Sequence, residues 1–155
     1  MVMEDVRTLK TGHNEAGRGA EFSELQIFEQ RLLTFDDRTG DVFEILNTED
    51  GKDSFVVPRF VFTEGEGDTD KGMKWEWATV KDDELYMGSM GKEYTRLDGS
   101  VQNRNNLWVS VMKRTGEVNR IDWTDQFTFV RDQLGAGYPG YVTVSYTHLT
   151  LPTKA

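Results

Sequence analysis

The sequence predicts an all-β fold, a β-propeller repeat with one helix near residues 123–134. Short segments rich in β-forming residues alternate with turn signals along most of the chain, as in all-β repeats, sandwiches and barrels. Residues 23–35 and 75–88 are also built alike, each with an apolar segment, a polar turn and a second apolar segment. Their offset of about 52 residues is close to the length of one propeller blade.

The predicted strands follow a polar, glycine-rich loop at residues 8–20. Clusters of turn-forming residues separate them, and Gly40 and Gly51 in two of these clusters suit the left-handed backbone that tight hairpins need. The predicted strands are residues 22–28, 31–35, 41–46, 55–63, 75–80, 84–90 and 107–112.

The predicted helix near residues 123–134 has apolar side chains at helical spacing, which we expect to pack on a sheet. Asp122 or Thr124 can cap its beginning, and Gly135 follows its end. The residues at helical spacing are Trp123, Phe127, Val130, Arg131 and Leu134.

Composition limits the classes of function. The chain has 155 residues, 37% of them hydrophobic and 12% aromatic, which suffices for one domain with a core. Its formal net charge of −9 repels phosphate backbones, so we expect no nucleic-acid partner. The absence of cysteine excludes a disulfide scaffold, a thiolate zinc site and a cysteine nucleophile.

No apolar run in the sequence is long enough to predict a membrane span. The first residues show no signal peptide, so we expect a chain that is either cytoplasmic or lacks its natural start. Residues 143–155 contain neither an acidic residue nor a glycine, and they are similar to translated adaptor tails of assembled transcripts. We therefore predict a non-native tail at 143–155.

Two carboxylates in apolar surroundings are candidate metal ligands. Glu24 lies among the apolar residues of the first repeat, and Glu76 lies between Trp75 and Trp77. Burial of a carboxylate is costly unless a cation or a donor compensates it. Ser23 next to Glu24 could add an oxygen, and Ca²⁺ takes six to eight oxygen ligands. The alternative is that both glutamates face outward from strands whose other face is buried.

Other polar features are weaker. Arg18 and Lys92 lie beside glycines, where a cation can contact phosphate, although each is also typical of solvated surface. The turn at 36–40 is interpreted as a hairpin with an internal Asp–Arg pair, and the alternative places its charges at a channel rim. His13 and His148 share no metal-ligand spacing and are predicted to be inert. The sequence contains neither a P-loop nor a nucleophile-elbow motif.

Five motifs occur in one order along residues 1–141, and together they resemble the soluble calcium-activated nucleotidase family of apyrases. This resemblance implies a five-bladed β-propeller, of which about two to three blades are present here as a partial propeller domain at 1–142. It also implies Ca²⁺-dependent hydrolysis of nucleoside di- and triphosphates. The motifs are GRGAEFSEL at 17–25, DDRTG at 36–40, KGMKWEW at 71–77, LYMG at 85–88 and GKEY at 91–94.

The resemblance also implies a set of calcium ligands. Ser23 matches a family ligand directly, and Glu24 replaces an aspartate, which keeps the carboxylate and lengthens the side chain by one methylene. Glu76 matches the next ligand. A further glutamate is expected a few residues after the Pro-Gly-Tyr motif at 139–141, near Ser145, and the remaining ligands belong to blades that this chain lacks.

The chain is accordingly expected to be a fragment, inactive by itself because two or three ligands bind Ca²⁺ weakly. By the resemblance, the full-length parent is an apyrase or nucleoside diphosphatase that is secreted or lies in the ER or Golgi lumen. Two alternatives stay open: another calcium-centred propeller hydrolase similar to sugar lactonases, and a non-catalytic propeller binding module. The sequence indicates neither nucleotide preference nor oligomeric state.

Overall fold

Ten strands and one helix form the part of the chain described by the structure, a computed structural model covering residues 8–133. Short 3₁₀ turns at Glu15–Gly17 and Asn105–Leu107 complete the secondary structure of this part. The elements are β1 (Phe22–Phe28), β2 (Arg31–Asp36), β3 (Asp41–Asn47), β4 (Ser54–Val61), β5 (Trp77–Lys81), β6 (Glu84–Gly88), β7 (Tyr94–Thr95), β8 (Val101–Asn103), β9 (Trp108–Met112), β10 (Val118–Asp122) and α1 (Thr124–Gln133).

The strands form two four-stranded antiparallel sheets and one small ribbon. The first sheet has the order β1-β2-β3-β4 and the second has the order β5-β6-β9-β10, while β7 and β8 pair by themselves between β6 and β9. The first strands of the two sheets, β1 and β5, contact each other. The predicted all-β class is confirmed, and two consecutive four-stranded sheets of this kind are consistent with part of a propeller.

Both opening hairpins close through two-residue turns without glycine. The turn residues Glu29 and Gln30 have φ values of 50° and 63°, and Asp82 and Asp83 have 51° and 63°. Positive φ at both central residues matches the twist of the flanking strands, as in type I′ turns. The hairpins are therefore equivalent units, which supports the repeat predicted from the sequence.

The two glutamates of the repeat are nevertheless not equivalent. Glu24 lies five residues before the turn residue Glu29, whereas Glu76 lies six residues before Asp82. The pairing of β1 with β2 also shifts by one residue between Phe22 and Leu25. The spacing of 52 therefore does not place the two carboxylates at the same point of two hairpins, which corrects the interpretation based on spacing alone.

The main core lies between the two four-stranded sheets. The segment that crosses from β4 to β5 closes it at one end with Phe62, Met73 and Trp75. From the sheets it contains Phe28, Leu33, Phe35, Val42, Ala78, Leu85, Met87 and Met112.

A second apolar cluster covers the opposite face of the second sheet, where α1 packs with the buried Phe127. The helix begins at Thr124, whose amide donates to Asp122 Oδ1 at 2.8 Å. This agrees with the predicted helix and with Asp122 as its cap. The cluster contains Trp77, Val109 and Val111 from the sheet and Leu107 from the 3₁₀ turn before β9, with Tyr86 packed against them.

Some strands were not predicted. The ribbon β7–β8 is short, and β10 is amphipathic and half-exposed, with Val118 and Ile121 as its apolar residues. Strand β5 begins at Trp77 rather than at residue 75, so Glu76 precedes it. No helix among residues 8–133 is long and apolar enough to cross a membrane. The predicted non-native tail at 143–155 lies outside the described residues, as do Leu134, Gly135 and His148.

Candidate functional site

The corner where β1 meets the start of β5 brings two predicted site residues together. The Ser23 hydroxyl lies 2.5 Å from the Trp75 carbonyl oxygen and 3.3 Å from the Phe35 carbonyl oxygen. Glu76 follows Trp75 directly, and its amide donates to the Gly88 carbonyl at 3.0 Å. Ser23 and the backbone of Glu76 are thus held beside each other by contacts across the two sheets.

The position of Trp75 depends on Gly40. The Gly40 carbonyl accepts hydrogen bonds from the Trp75 indole at 3.1 Å and from the Phe62 amide at 2.9 Å. Gly40 has φ +80°, and a Cβ there would lie 2.0 Å from the Phe62 carbonyl oxygen. A glycine is required at this point because both the backbone angle and the close approach exclude a side chain.

Glu76 is half-buried beside another carboxylate. Burial raises the pKa of Glu76, and the nearby charge of Asp37 raises it further, while Lys74 acts in the opposite direction. Both effects disfavour the charged carboxylate in the absence of a cation.

Asp37, in the turn after β2, is the second acidic group of the corner. Burial raises its pKa, the charges of Glu21 and Asp36 add to the effect, and Lys74 opposes it. The buried Asp37 Oδ1 has no hydrogen-bond partner among the described residues. Its amide donates to the Glu21 carbonyl at 3.0 Å, which fixes the backbone of Asp37 beside β1. The corner therefore contains a buried carboxylate oxygen that is free to accept a ligand.

Asp36, by contrast, is fully buried and fully engaged within the same turn. Its carboxylate accepts hydrogen bonds from the Glu21 amide at 2.6 Å, the Thr39 amide at 2.9 Å and the Thr39 hydroxyl at 2.7 Å. The predicted Asp–Arg side-chain pair does not form, since the Arg38 guanidinium binds Glu15 Oε1 at 2.6 Å. The residues before β1 supply that carboxylate, which the spacing within the turn could not indicate.

Glu24 lies apart from these contacts. Its Oε1 accepts a hydrogen bond from the Leu25 amide at 2.8 Å. It lines an open pocket of about 430 Å³ with Ser23, Leu25 and four further residues. Within residues 8–133, no group of three or more His, Cys, Asp or Glu side chains is arranged to hold a metal ion. The structure thus brings Ser23 near Glu76, but it does not bring Glu24 and Glu76 into one ligand cluster.

The two candidate phosphate contacts lie on other segments. Arg18 is exposed and forms an ion pair with Glu21. Lys92 is partly exposed and follows the buried Gly91 in the loop after β6. Both are therefore accessible from solvent.

The donors at the corner suit a hard cation. Ser23, Asp37 and Glu76 offer oxygen atoms alone, the donor type that Ca²⁺ takes, and the unpartnered Asp37 Oδ1 is available to such an ion. In the sequence, the turn of Asp37 predicts a hairpin, and no pattern singles out Lys74. The signal that could have found Asp37 is its place directly after a strand that pairs with the strand of Ser23.

Comparisons with known proteins agree on one family. The family model described as Apyrase matches residues 2–149. The chain is 40% identical over 136 residues to "Apyrase" of Cimex lectularius, covering 88% of this chain and 36% of that protein. It is 39% identical over 128 residues to "Soluble calcium-activated nucleotidase 1" of Mus musculus, covering 83% and 30%. It is 39% identical over 126 residues to "Apyrase apy-1" of Caenorhabditis elegans, covering 81% and 34%. The chain therefore spans about a third of the length of these relatives.

Proposed function

Because the chain belongs to the apyrase family, we propose that it is part of a Ca²⁺-dependent apyrase that hydrolyses nucleoside di- and triphosphates. The observation that carries this proposal is the oxygen-lined corner, where Ser23 binds the Trp75 carbonyl beside Glu76. The name of the Mus musculus relative supports the proposed calcium dependence. Secretion, or residence in the ER or Golgi lumen, belongs to the same proposal.

Ser23, Glu76 and Asp37 would hold the ion, and Glu24, the neighbour of Ser23 on β1, stays a candidate ligand. Bound calcium supplies positive charge that offsets the charge of phosphate oxygens during phosphoanhydride hydrolysis. Burial raises the pKa of both Glu76 and Asp37, and neighbouring carboxylates raise both further, Asp37 for Glu76 and Glu21 and Asp36 for Asp37, so a cation would relieve this repulsion. The role of the protein is to hold these oxygens in place before substrate binds.

Arg18 and Lys92 are proposed phosphate contacts. Both side chains reach solvent, and a cation beside a glycine can approach a phosphate closely. Arg18 would exchange its ion pair with Glu21 for a phosphate oxygen.

The 155-residue chain by itself is expected to be inactive, since two sheets supply only part of a sphere of six to eight oxygens. The measurement is phosphate release from ADP and UDP, with and without Ca²⁺. Ca²⁺-dependent turnover by this chain would contradict the expected inactivity. A longer natural protein containing this chain should hydrolyse nucleotides but not sugar lactones, and the reverse result would replace the apyrase proposal with the lactonase alternative.

Glu76→Gln tests the metal site directly. We expect Ca²⁺ affinity, measured by isothermal titration calorimetry, to fall by more than the roughly tenfold typical of changes next to a ligand, while the control Glu49→Gln, at an exposed site in the β3–β4 turn, leaves it unchanged. Because the pKa of Glu76 is raised above its ordinary value of 4.5, its protonated form favours the fold below pH 4.5, and this stability is lost as pH rises through the raised pKa.

In EDTA, Glu76→Gln should therefore raise the melting temperature at pH 7 and leave it nearly unchanged at pH 4. An equal Ca²⁺ affinity in the wild type and the variant would remove Glu76 from the site.

A further inference from the structure

His13, which shows no metal-ligand spacing in the sequence, is fastened to the turn that carries Asp37. Its Nε2 lies 2.7 Å from Asp41 Oδ2 and 3.1 Å from the Thr39 hydroxyl. The edge of its ring meets Phe43, with centroids 5.2 Å apart and planes at 85°. The imidazole is therefore held by polar contacts at one end and by an aromatic contact at its ring.

The polar contacts of His13 have a definite donor order. The Thr39 hydroxyl lies 2.7 Å from Asp36 Oδ2 and 2.8 Å from Asp41 Oδ2. A hydroxyl has one proton and can donate to only one of the two carboxylates. His13 Nε2 lies only 2.7 Å from Asp41 Oδ2, and two acceptors at this distance would repel, so Nε2 carries the proton and donates it to the buried Asp41. The His13 N–H thereby leaves the Thr39 proton free for Asp36.

Asp36 transmits this arrangement to the candidate site. Its carboxylate accepts hydrogen bonds from the Thr39 hydroxyl and from the amides of Glu21 and Thr39. These hydrogen bonds fix the backbone of the turn. Asp37 is the next residue of that turn. The strand that enters the turn contributes the Phe35 carbonyl, which lies 3.3 Å from the Ser23 hydroxyl.

Other residues before β1 fasten the same turn. Glu15 pairs with Arg38 at 2.6 Å. The Asn14 side-chain amide donates to the Gly19 carbonyl at 2.8 Å, which closes the loop on itself. His13 thus belongs to a segment that folds over the turn. Within residues 8–133, its side-chain contacts are with Thr39, Asp41 and Phe43 and not with Asp37 or Glu76.

We propose that His13 is a positioning residue for the oxygen-lined corner: its Nε2–H satisfies Asp41, which commits Thr39 to Asp36 and so fixes the turn that presents Asp37. The role of His13 in cation binding rests on the proposed function, whereas its role in fixing the backbone of the turn does not.

The test compares His13→Phe with His13→Gln in the full 155-residue chain. Phe keeps the ring and the contact with Phe43 but removes the donor, whereas the Gln side-chain amide can replace the Nε2–H. Two quantities are measured: Ca²⁺ affinity by calorimetry, and hydrogen exchange of the Thr39 and Arg38 amides by NMR.

We expect His13→Phe to weaken Ca²⁺ binding about tenfold, as for changes that act through a ligand's neighbours, and to speed exchange at both amides. His13→Gln should stay within about threefold of the wild type in affinity and keep the amides protected. If His13→Phe does not fold, His13→Asn, whose shorter amide reaches Asp41 less well, takes its place.

Unchanged affinity and exchange in His13→Phe would overturn the proposal, and so would a His13→Gln variant as weak as His13→Phe. If the wild-type chain binds no Ca²⁺, the proposed metal site fails, and the exchange data alone decide whether His13 holds the turn. A purely structural role would lower the urea midpoint of both variants together, without restoration of affinity by Gln.

Discussion

Asp36 and Asp37 are adjacent carboxylates whose pKa values move in opposite directions. Burial acts against ionisation of Asp36, but hydrogen bonds from the Thr39 hydroxyl and from the Glu21, Thr39 and Arg38 amides lower its pKa overall. Burial and the charges of Glu21 and Asp36 raise the pKa of Asp37. One carboxylate therefore stabilises the turn, and the other is left for a cation to compensate.

Asp36→Asn should destabilise the chain by about 1–3 kcal/mol at pH 7, because several donors lose a charged acceptor. The pKa of Asp36 lies below its ordinary value of 3.8 in the folded chain, so its stabilisation is complete above pH 3.8 and is lost as pH falls through the lowered pKa. Urea unfolding at pH 7 and at pH 3 measures the difference from the wild type, which should shrink at the lower pH.

The exposed Asp70 provides the control, since Asp70→Asn should change stability by less than about 0.5 kcal/mol. A loss that is equal at both pH values would show that the charge of Asp36 is not the source of its effect.

At the scale of elements, α1 is a short helix that depends on its docking site. It has 10 residues, fewer than an isolated helix needs for stability in water. Phe127 is 3% exposed and packs in the cluster on the second sheet, with ring centroids of Trp123 and Phe127 5.9 Å apart. The helix therefore forms because the sheet covers its apolar side.

Phe127→Ala should lower the free energy of unfolding by about 3–5 kcal/mol, through loss of burial and formation of a cavity. Phe129→Ala is a matched control on the same helix, because Phe129 is 66% exposed, and it should change stability by less than about 1 kcal/mol. Chemical denaturation followed by far-UV circular dichroism measures both. Similar losses in the two variants would contradict the docking of α1 through Phe127.

At the scale of the whole molecule, the two sheets share one core, but the first sheet has an apolar outer face. Leu25, Ile27 and Leu32 are 58%, 66% and 39% exposed on β1 and β2. The corresponding side of the second sheet, with Ala78, Leu85 and Met87, is covered by the first sheet. Exposed apolar surface of this kind favours association with other surfaces.

The purified chain should therefore bind the apolar dye ANS in its folded state. The double variant Leu25→Thr and Ile27→Thr should reduce the dye fluorescence, because it removes two exposed apolar side chains from this face, and leave the urea midpoint nearly unchanged. Fluorescence that is unaffected by the double variant would place the dye-binding surface elsewhere.

Much of the fold could be predicted because it is local. Alternation and turn residues located β1–β6 and β9 to within a few residues, and helical spacing located α1. Strand β10 was missed because it has few apolar residues and most of its side chains are exposed. The positive φ values at Glu29–Gln30 and Asp82–Asp83 could not be predicted, because no glycine marks these turns. The neighbouring strands nevertheless sufficed to predict the hairpins.

The sequence by itself determined the all-β class, the paired hairpins, and the residue types Ser23, Glu24 and Glu76 as oxygen donors, since these follow from pattern and side-chain chemistry. Only the tertiary structure decided which donors meet. The Ser23 hydroxyl donates to the carbonyl of Trp75, which lies 52 residues later in the chain. The Arg38 guanidinium pairs with Glu15 and not with an aspartate of its own turn. Such contacts depend on how two sheets pack and on where a loop crosses a turn, which no local sequence pattern specifies.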